Sequence, residues 1–505
     1  MLIYQVLPRH FGNDNDACVP RATLDVNGCG KFSAFSAQAL AQIKSLGTTH
    51  IWYTGVLQHS THTDYTAHGI PLSPADEVKG EAGSPYAVSD YYNVDPDLAE
   101  SVPDRLHEFD LLVRRTHRAG MDVIIDFIPN HVARTYVGTT DAFTDSNYYP
   151  DHIHDGDWTD TAKLCYDSRD TWERMLRILL FWASHHVDGF RCDMAELVPV
   201  EFWEWALPQV RARYPHMLFI AEVYQPWRYH DYIRRGTFDY LYDKVGLYDT
   251  LIAILRGQES ATAITRCWQN LCDLGPHMLH FLENHDERRL ASSFICGEGQ
   301  RALPALIVST LMDSCPFMIY AGQELGEDGM QAEGFSGIDG KTSIFDYCNV
   351  PAILRFRKAM GLTKMKNRKA DPKRMLSKTE NDLLAIYRHL MQIRTSEPAF
   401  QKGKFFDLMY VNPLSADFDS NRQYAFLRKQ DDTLFLVVAN FSSMPSSVQI
   451  VIPSHAFDYL EMPEHPSILG TDLLTGVTCA LSLTRDARIP LYIRAHSGVI
   501  VRIPL

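Results

Sequence analysis

No two of the ten cysteines stand as a CxxC pair, and none shows metal-finger spacing. This excludes a thioredoxin-type redox centre and a cysteine-rich zinc module. Cys18 and Cys29 lie close enough in sequence to close a loop in an oxidising compartment, but the preferred expectation is free thiols in a reducing cytoplasm. The opening residues, MLIYQVLPRHF, lack the basic and long apolar regions of a leader and start at once with a strand-like pattern, which fits the same cytoplasmic expectation. No run is long and apolar enough to span a bilayer. An excess of positive charge is also missing: 48 basic side chains face 62 acidic ones, a net charge of −14. That disfavours nucleic acid and anionic membrane surfaces as partners. There is no tandem repeat, no low-complexity tract and no glycine-rich dinucleotide turn after any strand-like run. What remains is an ordinary globular composition over 505 residues, 46% hydrophobic and 22% charged. A chain of that size forms several domains, or one large barrel with additions, and needs no disulfide staples.

Eight short apolar, β-branched runs recur between amphipathic segments. They lie at 2–6, 50–56, 121–128, 187–193, 217–223, 238–242, 277–284 and 315–322. Runs of this kind, buried on both faces, are typical of parallel strands. Between them lie helical patterns such as Asp170 to His185, where Trp172, Met175, Leu176, Leu179 and Trp182 share one face and Asp170 with Glu173 resembles a capping box. The alternation predicts a (β/α)8 TIM barrel, in the α/β class, with a doubly wound sheet as the structural alternative. Residues 132–168 are polar, Asp- and Tyr-rich and too long for an ordinary connection, so they read as a small loop domain inserted after the third strand. The expected division is 1–131 and 169–400 for the barrel, 132–168 for the insertion, and 401–505 for an all-β C-terminal sandwich domain, where alternating strands replace the βα rhythm. The basic stretch 362–380 reads as a solvated helix or loop.

Catalytic groups in such barrels collect at the C-terminal ends of the strands. Here the third strand ends with Asp126, Asn130 and His131, the fourth with Arg191 and Asp193, the fifth with Glu222, and the seventh with His285 and Asp286. Burying so many ionisable groups is costly unless they are paired or functional. Retaining glycoside hydrolysis needs this set: a carboxylate nucleophile and a carboxylic acid about 5–5.5 Å apart. Arg191, on the same strand face as Asp193, is expected to keep that carboxylate ionised, while burial and neighbouring carboxylates keep Glu222 protonated.

DFIPNH, GFRCDMAE, FIAEVY and FLENHD, in this order and spacing, resemble the four characteristic segments of the α-amylase family of retaining α-glycoside hydrolases (glycoside hydrolase family 13). IYQVLPRHF, GSPYAVSDYYNVDP, MIYAGQELG and YRHLMQIRTSEPAF extend the likeness over nearly the whole chain. The resemblance implies that Asp193 is the nucleophile, Glu222 the general acid/base and Asp286 the third carboxylate, holding sugar hydroxyls. It implies substrate-binding roles for Tyr86, His131, Arg191, His285 and Arg289, and an ordering role for Asp126. It implies an α-glucan substrate and no cofactor for the chemistry. A structural calcium ion would use Asn130, with Asp155, Asp157, Asp160 and Asp167 nearby as oxygen donors.

The chain departs from the family in four places. Glu196 and Leu197 stand where many amylases have a basic residue and a histidine. Gly83 stands where exo-acting members have an aspartate three residues before the platform tyrosine, so an open, endo-type or short malto-oligosaccharide cleft is expected. WYTGV replaces a proline-containing turn after the second strand. The leading expectation is hydrolysis of α-1,4-glucosidic bonds in starch-derived glucans or malto-oligosaccharides. A transglycosidase or sugar phosphorylase using the same acids is the alternative. A non-catalytic sugar-binding scaffold is disfavoured because all three acids are present. A metal-dependent hydrolase built on His59, His62, Asp64 and His68 is a further reading, against which a polar loop is preferred.

Overall fold

The computed structural model describes residues 1–138, 140–363 and 375–505. Eight parallel strands close a barrel: β1 (Leu2–Val6), β2 (His50–Tyr53), β3 (Asp122–Phe127), β4 (Gly189–Cys192), β5 (Leu218–Ala221), β6 (Tyr240–Tyr242), β7 (Met278–Phe281) and β8 (Phe317–Tyr320), in the order β1-β8-β7-β6-β5-β4-β3-β2. All eight were expected; β1 has the expected bounds and the other seven are shorter by one to three residues at one or both ends. β1, β4, β7 and β8 are buried along their whole length, which is why they read as continuous apolar runs rather than alternating ones. The register sets Asp126 of β3 beside Arg191 of β4, and Arg191 beside Ile220 of β5. Asp193 and Glu222 each stand one residue past the end of their strands, at the C-terminal end of the barrel.

The helix expected from Asp170 runs over Arg169–Ser184 and buries Met175, Leu179 and Trp182, together with Thr171, Ile178 and Ala183. It has no capping box: Ser168 is the cap position, and the Asp170 carboxylate accepts Asn147 Nδ2 at 2.9 Å and Arg174 Nε at 2.7 Å. Tertiary partners thus take the oxygen that a local cap would have used. After β3 the chain forms a short antiparallel ribbon, His131–Ala133 with Thr161–Lys163, rather than passing directly into a helix. Of the basic stretch expected at 362–380, residues 364–374 lie outside the described residues.

The C-terminal part is all antiparallel. Strands β9 (Lys404–Asp407), β10 (Gln423–Gln430), β11 (Thr433–Asn440), β12 (Ser446–Val451), β13 (His465–Asp472), β14 (Thr478–Leu483), β15 (Arg488–Ile493) and β16 (Ser497–Pro504) form a six-stranded sheet in the order β9-β10-β11-β16-β13-β14 and a two-stranded sheet β12-β15. β9, β13 and β14 carry no clear apolar alternation and were not read from the sequence. The chain divides into two compact units. One comprises Met1–Tyr242, Glu283–Arg289 and Met318–Asn381, and the other Asp243–Leu282, Leu290–Phe317 and Asp382–Leu505. Every residue of the site below belongs to the first.

Cysteine pairing differs from expectation. Cys18 is bonded to Cys348, 330 residues away, and not to Cys29, which is free.

Candidate active site

Arg191 forms the floor of the site. It is fully buried, and its Nη1 donates to Asp193 Oδ1 at 2.6 Å while Nη2 lies 2.7 Å from Glu222 Oε2. Its Nε donates to the Tyr242 hydroxyl at 3.2 Å, and the rings of Trp52, Tyr86 and Tyr242 surround the guanidinium at 5.3–5.6 Å. The planar guanidinium holds the two carboxylates in a fixed relative geometry, which the rotatable donors of an ammonium would not impose. Asp126 lies 3.6 Å from Nη1, so three carboxyl groups share one cation.

That imbalance amends the expectation for Asp193. Burial raises its carboxyl well above the ordinary range and the Glu222 charge adds to this, while Arg191 opposes both. Asp126 is pushed up to about 6, chiefly by burial, against the pull of Arg191 and of the Gly55 N–H. Asp193 and Asp126 are therefore harder to ionise than free carboxyls, even beside the Arg191 guanidinium.

Hydrogen bonds connect residues distant in sequence. Gln5 Nε2 donates to His285 Nδ1 at 2.8 Å, which leaves the His285 Nε2–H to donate to the Tyr86 oxygen at 2.5 Å, and the Tyr86 hydroxyl donates to Asp126 Oδ1 at 3.3 Å. Burial and Arg191 hold His285 well below its usual range, so it is the neutral tautomer this relay needs. The Tyr86 and His285 rings stack at 5.2 Å and 18°. The WYTGV turn now has a structural role: Thr54 Oγ1 accepts Gln5 Nε2, and the Gly55 N–H donates to Asp126 Oδ2 at 3.1 Å.

Glu222 is held on both oxygens. The Met194 N–H donates to Oε2 at 2.8 Å, and the Tyr224 hydroxyl donates to Oε1 at 2.5 Å. Met194 can aim its N–H this way because it adopts the left-handed conformation, φ 41°. A cavity of about 750 Å³ opens above these groups, and Tyr86, His131, Trp158, Asp193, Glu222, Tyr224, His285 and Asp286 line it. His131, brought down to about 4 mainly by burial, is a neutral hydrogen-bonding ring in this wall. Asp286 is the most exposed of the three acids, with its side chain 44% accessible, 3.1 Å from His285 Nε2.

Arg289 does not reach the cavity. It is buried 2.9 Å from Glu283, donates to the Ala321 carbonyl and Thr342, and stacks on Tyr320 at 3.9 Å. It braces the loop that carries His285 and Asp286, so the expected sugar contact becomes a positioning role. At Gly83 the backbone itself forbids the exo-type aspartate: φ is 77°, and a Cβ would fall 1.7 Å from the Ser60 carbonyl oxygen.

The expected calcium ligands do not fit that ion. Asn130 presents its Nδ2 to Asp155 at 2.8 Å, Lys163 Nζ sits 2.7 Å from the same carboxylate, and Lys79 Nζ sits 2.9 Å from Asp160. Lysine ammonium groups supply the positive charge there, and among the described residues no group of three or more acidic, His or Cys side chains converges. His59, His62, Asp64 and His68 do not converge either. His59 bonds Arg9, His62 pairs with Glu81, and Asp64 accepts the Thr66 N–H.

Gln5, Trp52, Trp158 and Tyr224 are site residues that sequence reasoning missed, and Glu196 was marked only as a departure from the family pattern. Gln5 and Trp52 are buried strand positions within β1 and β2, where only the face they present could have marked them. Glu196 Oε2 accepts the backbone N–H groups of Tyr224 and Gln225, each at 3.1 Å.

The family profile described as alpha amylase, catalytic domain, matches residues 5–160. The chain is 27% identical over 492 residues to alpha-amylase MalA of Haloarcula japonica, covering 94% of this chain and 58% of that protein. It is 25% identical over 349 residues to an alpha-1,4-glucan:maltose-1-phosphate maltosyltransferase of Mycolicibacterium smegmatis, covering 66% of this chain and 45% of that one. The crystal structure of an alpha-amylase from Geobacillus thermoleovorans, complexed with acarbose, superposes with a TM-score of 0.71 at 18% identity, over 100% of this chain and 98% of that one. The barrel, the arginine fork and the ordered acid-bearing strand ends thus accompany a sequence similar to α-amylase catalytic domains over residues 5–160 and a fold shared with solved α-amylases.

Proposed function

We propose that this protein hydrolyses α-1,4-glucosidic bonds of starch-derived glucans or malto-oligosaccharides with retention of configuration. The observation that carries the reading is the Arg191 fork spanning Asp193 and Glu222 at the floor of an open cavity. Asp193 attacks the anomeric carbon while Glu222 gives its proton to the leaving oxygen. Water then takes the sugar from Asp193, and Glu222 recovers a proton from that water. Arg191, bonded to Asp193 Oδ1, steadies the carboxylate that attacks. Tyr86 supplies a ring face beneath the reacting sugar, and neutral His131 and His285 with Asp286 hold its hydroxyls. Gly83, which cannot carry the chain-end-capturing aspartate of exo-acting members, supports endo-type or short-oligosaccharide cleavage.

The maltosyltransferase relative supports a second reading, transfer of the sugar to phosphate or another sugar. One experiment separates the two. Maltodextrins are incubated with and without phosphate or acceptor sugar, and the products are followed by NMR from the first minute. Shorter reducing sugars released as α-anomers, at a rate indifferent to phosphate or acceptor, are expected. Phosphorylated or lengthened products would favour transfer, and initial β-anomers would overturn the mechanism.

A further inference from the structure

Three donors meet the carboxyl of the acid/base Glu222. Met194 N–H and Arg191 Nη2 face Oε2, and the Tyr224 hydroxyl faces Oε1 at 2.5 Å. The charged and titratable groups around this carboxyl are Arg191, Asp193, Tyr224, Tyr242 and His285, with Asp286 facing Tyr224. Met194 and Arg191 come from the barrel wall and its immediate edge. Tyr224 instead lines the cavity together with Glu222, and its hydroxyl stands on Oε1. The loop holding Tyr224 is clamped from behind: Glu196 takes the Tyr224 and Gln225 N–H groups, and Arg228 Nη1 donates to the Glu196 carbonyl at 2.5 Å. Glu196 stands where many relatives have a basic residue, so the clamp is a feature of this chain.

We propose that Tyr224 is a positioning residue that biases Glu222 toward its carboxylate form, and so toward the base role of the second half-reaction. A donor bonded to the charged form of a carboxyl favours that form. In the first half-reaction the Glu222 proton passes to the leaving oxygen. In the second, the carboxylate takes a proton from water, and the Tyr224 hydroxyl supports it without giving up its own proton. Burial and the Glu222 charge keep the Tyr224 phenol protonated, and hence a donor, across the working range. The inference rests on the hydrolytic reading above.

The test is Tyr224→Phe, with Glu222→Gln alongside. Initial rates are measured from pH 4 to 10 on maltotetraose and on α-maltosyl fluoride, whose leaving group needs no proton. Tyr224→Phe is expected to move the basic limb of kcat/KM on maltotetraose up by about one pH unit. Its kcat/KM on the fluoride is expected to stay within twofold, while kcat on the fluoride falls as the base step becomes limiting. An unmoved limb, or equal losses on both substrates, would make Tyr224 a mere wall of the cavity and overturn the proposal. Full activity of Glu222→Gln on maltotetraose would instead overturn the reading of the site itself.

Discussion

Asp126 shows what a functional residue costs the fold. It is buried beneath Tyr86 beside Arg191, and its carboxyl is pushed up to about 6. An unfolded aspartate titrates near 3.9, so between about pH 3.9 and 6 the folded state binds more protons than the unfolded one. Stability from this group therefore falls as pH rises through that window and is fully lost above it. Asp126→Asn is expected to stabilise the protein at pH 8 by on the order of 1–3 kcal/mol, with the gain gone near pH 4. Thermal melts of both proteins at the two pH values check it, and an equal shift at both would refute the linkage. Activity of the variant should fall, because Tyr86 and Arg191 lose the partner that orients them. Asp126, Arg191, Asp193 and Glu222 were legible in the sequence because polar residues at the ends of apolar runs stand out locally. Tyr224 and Glu196 were not, because both lie beyond the strand ends, where no periodicity says which way a side chain faces.

At the scale of elements, the segment after β3 is where family expectation and this chain part. The ribbon His131–Ala133 with Thr161–Lys163 carries Lys163 to Asp155, and Asn130 anchors the other oxygen of that carboxylate. The ion pair is partly buried, so the Lys163 ammonium supplies the positive charge this carboxylate meets. A chelator is expected to leave the melting temperature unchanged within about 1 °C, whereas Lys163→Met lowers stability by roughly 1 kcal/mol and weakens substrate binding through His131. A chelator-induced drop of several degrees in the unsubstituted protein would show that the reading of this segment is wrong. The lysine's position was visible in the sequence, but its partner was not. An Asp-rich loop offers several carboxylates, and only the fold selects which one a given ammonium meets.

At the scale of the whole molecule, long-range tethers hold the rim of the cavity. Cys18 and Cys348 join segments 330 residues apart, and Asn349 Nδ2 donates to the Ala17 carbonyl beside them. The stretch ending at Cys348 carries Phe335, Ile344 and Phe345 into the cavity wall. A crosslink restricts the unfolded chain most when the loop it closes is long, although strain and residual structure reduce the gain. Cys348→Ser is expected to cost about 2–4 kcal/mol in denaturant unfolding and to raise KM more than it lowers kcat, since the wall and not the acids is loosened. Identical denaturation midpoints for the variant and the oxidised protein would refute this.

The sequence by itself determined the eight strands, the alternation that closes them into a barrel, the change to antiparallel sheet near the C-terminus and the residues that can carry glycosidic chemistry. These are local properties: apolar period, turn composition and the identity of side chains at strand ends. Only the tertiary structure decided that Gln5 sets the tautomer of His285, 280 residues away, that Cys18 meets Cys348, and that Lys163 reaches Asp155. It also decided the protonation balance around Arg191. How far burial raises a carboxyl against one nearby guanidinium depends on water exclusion and on every charge within a few ångströms, and neither is written in any short stretch of chain.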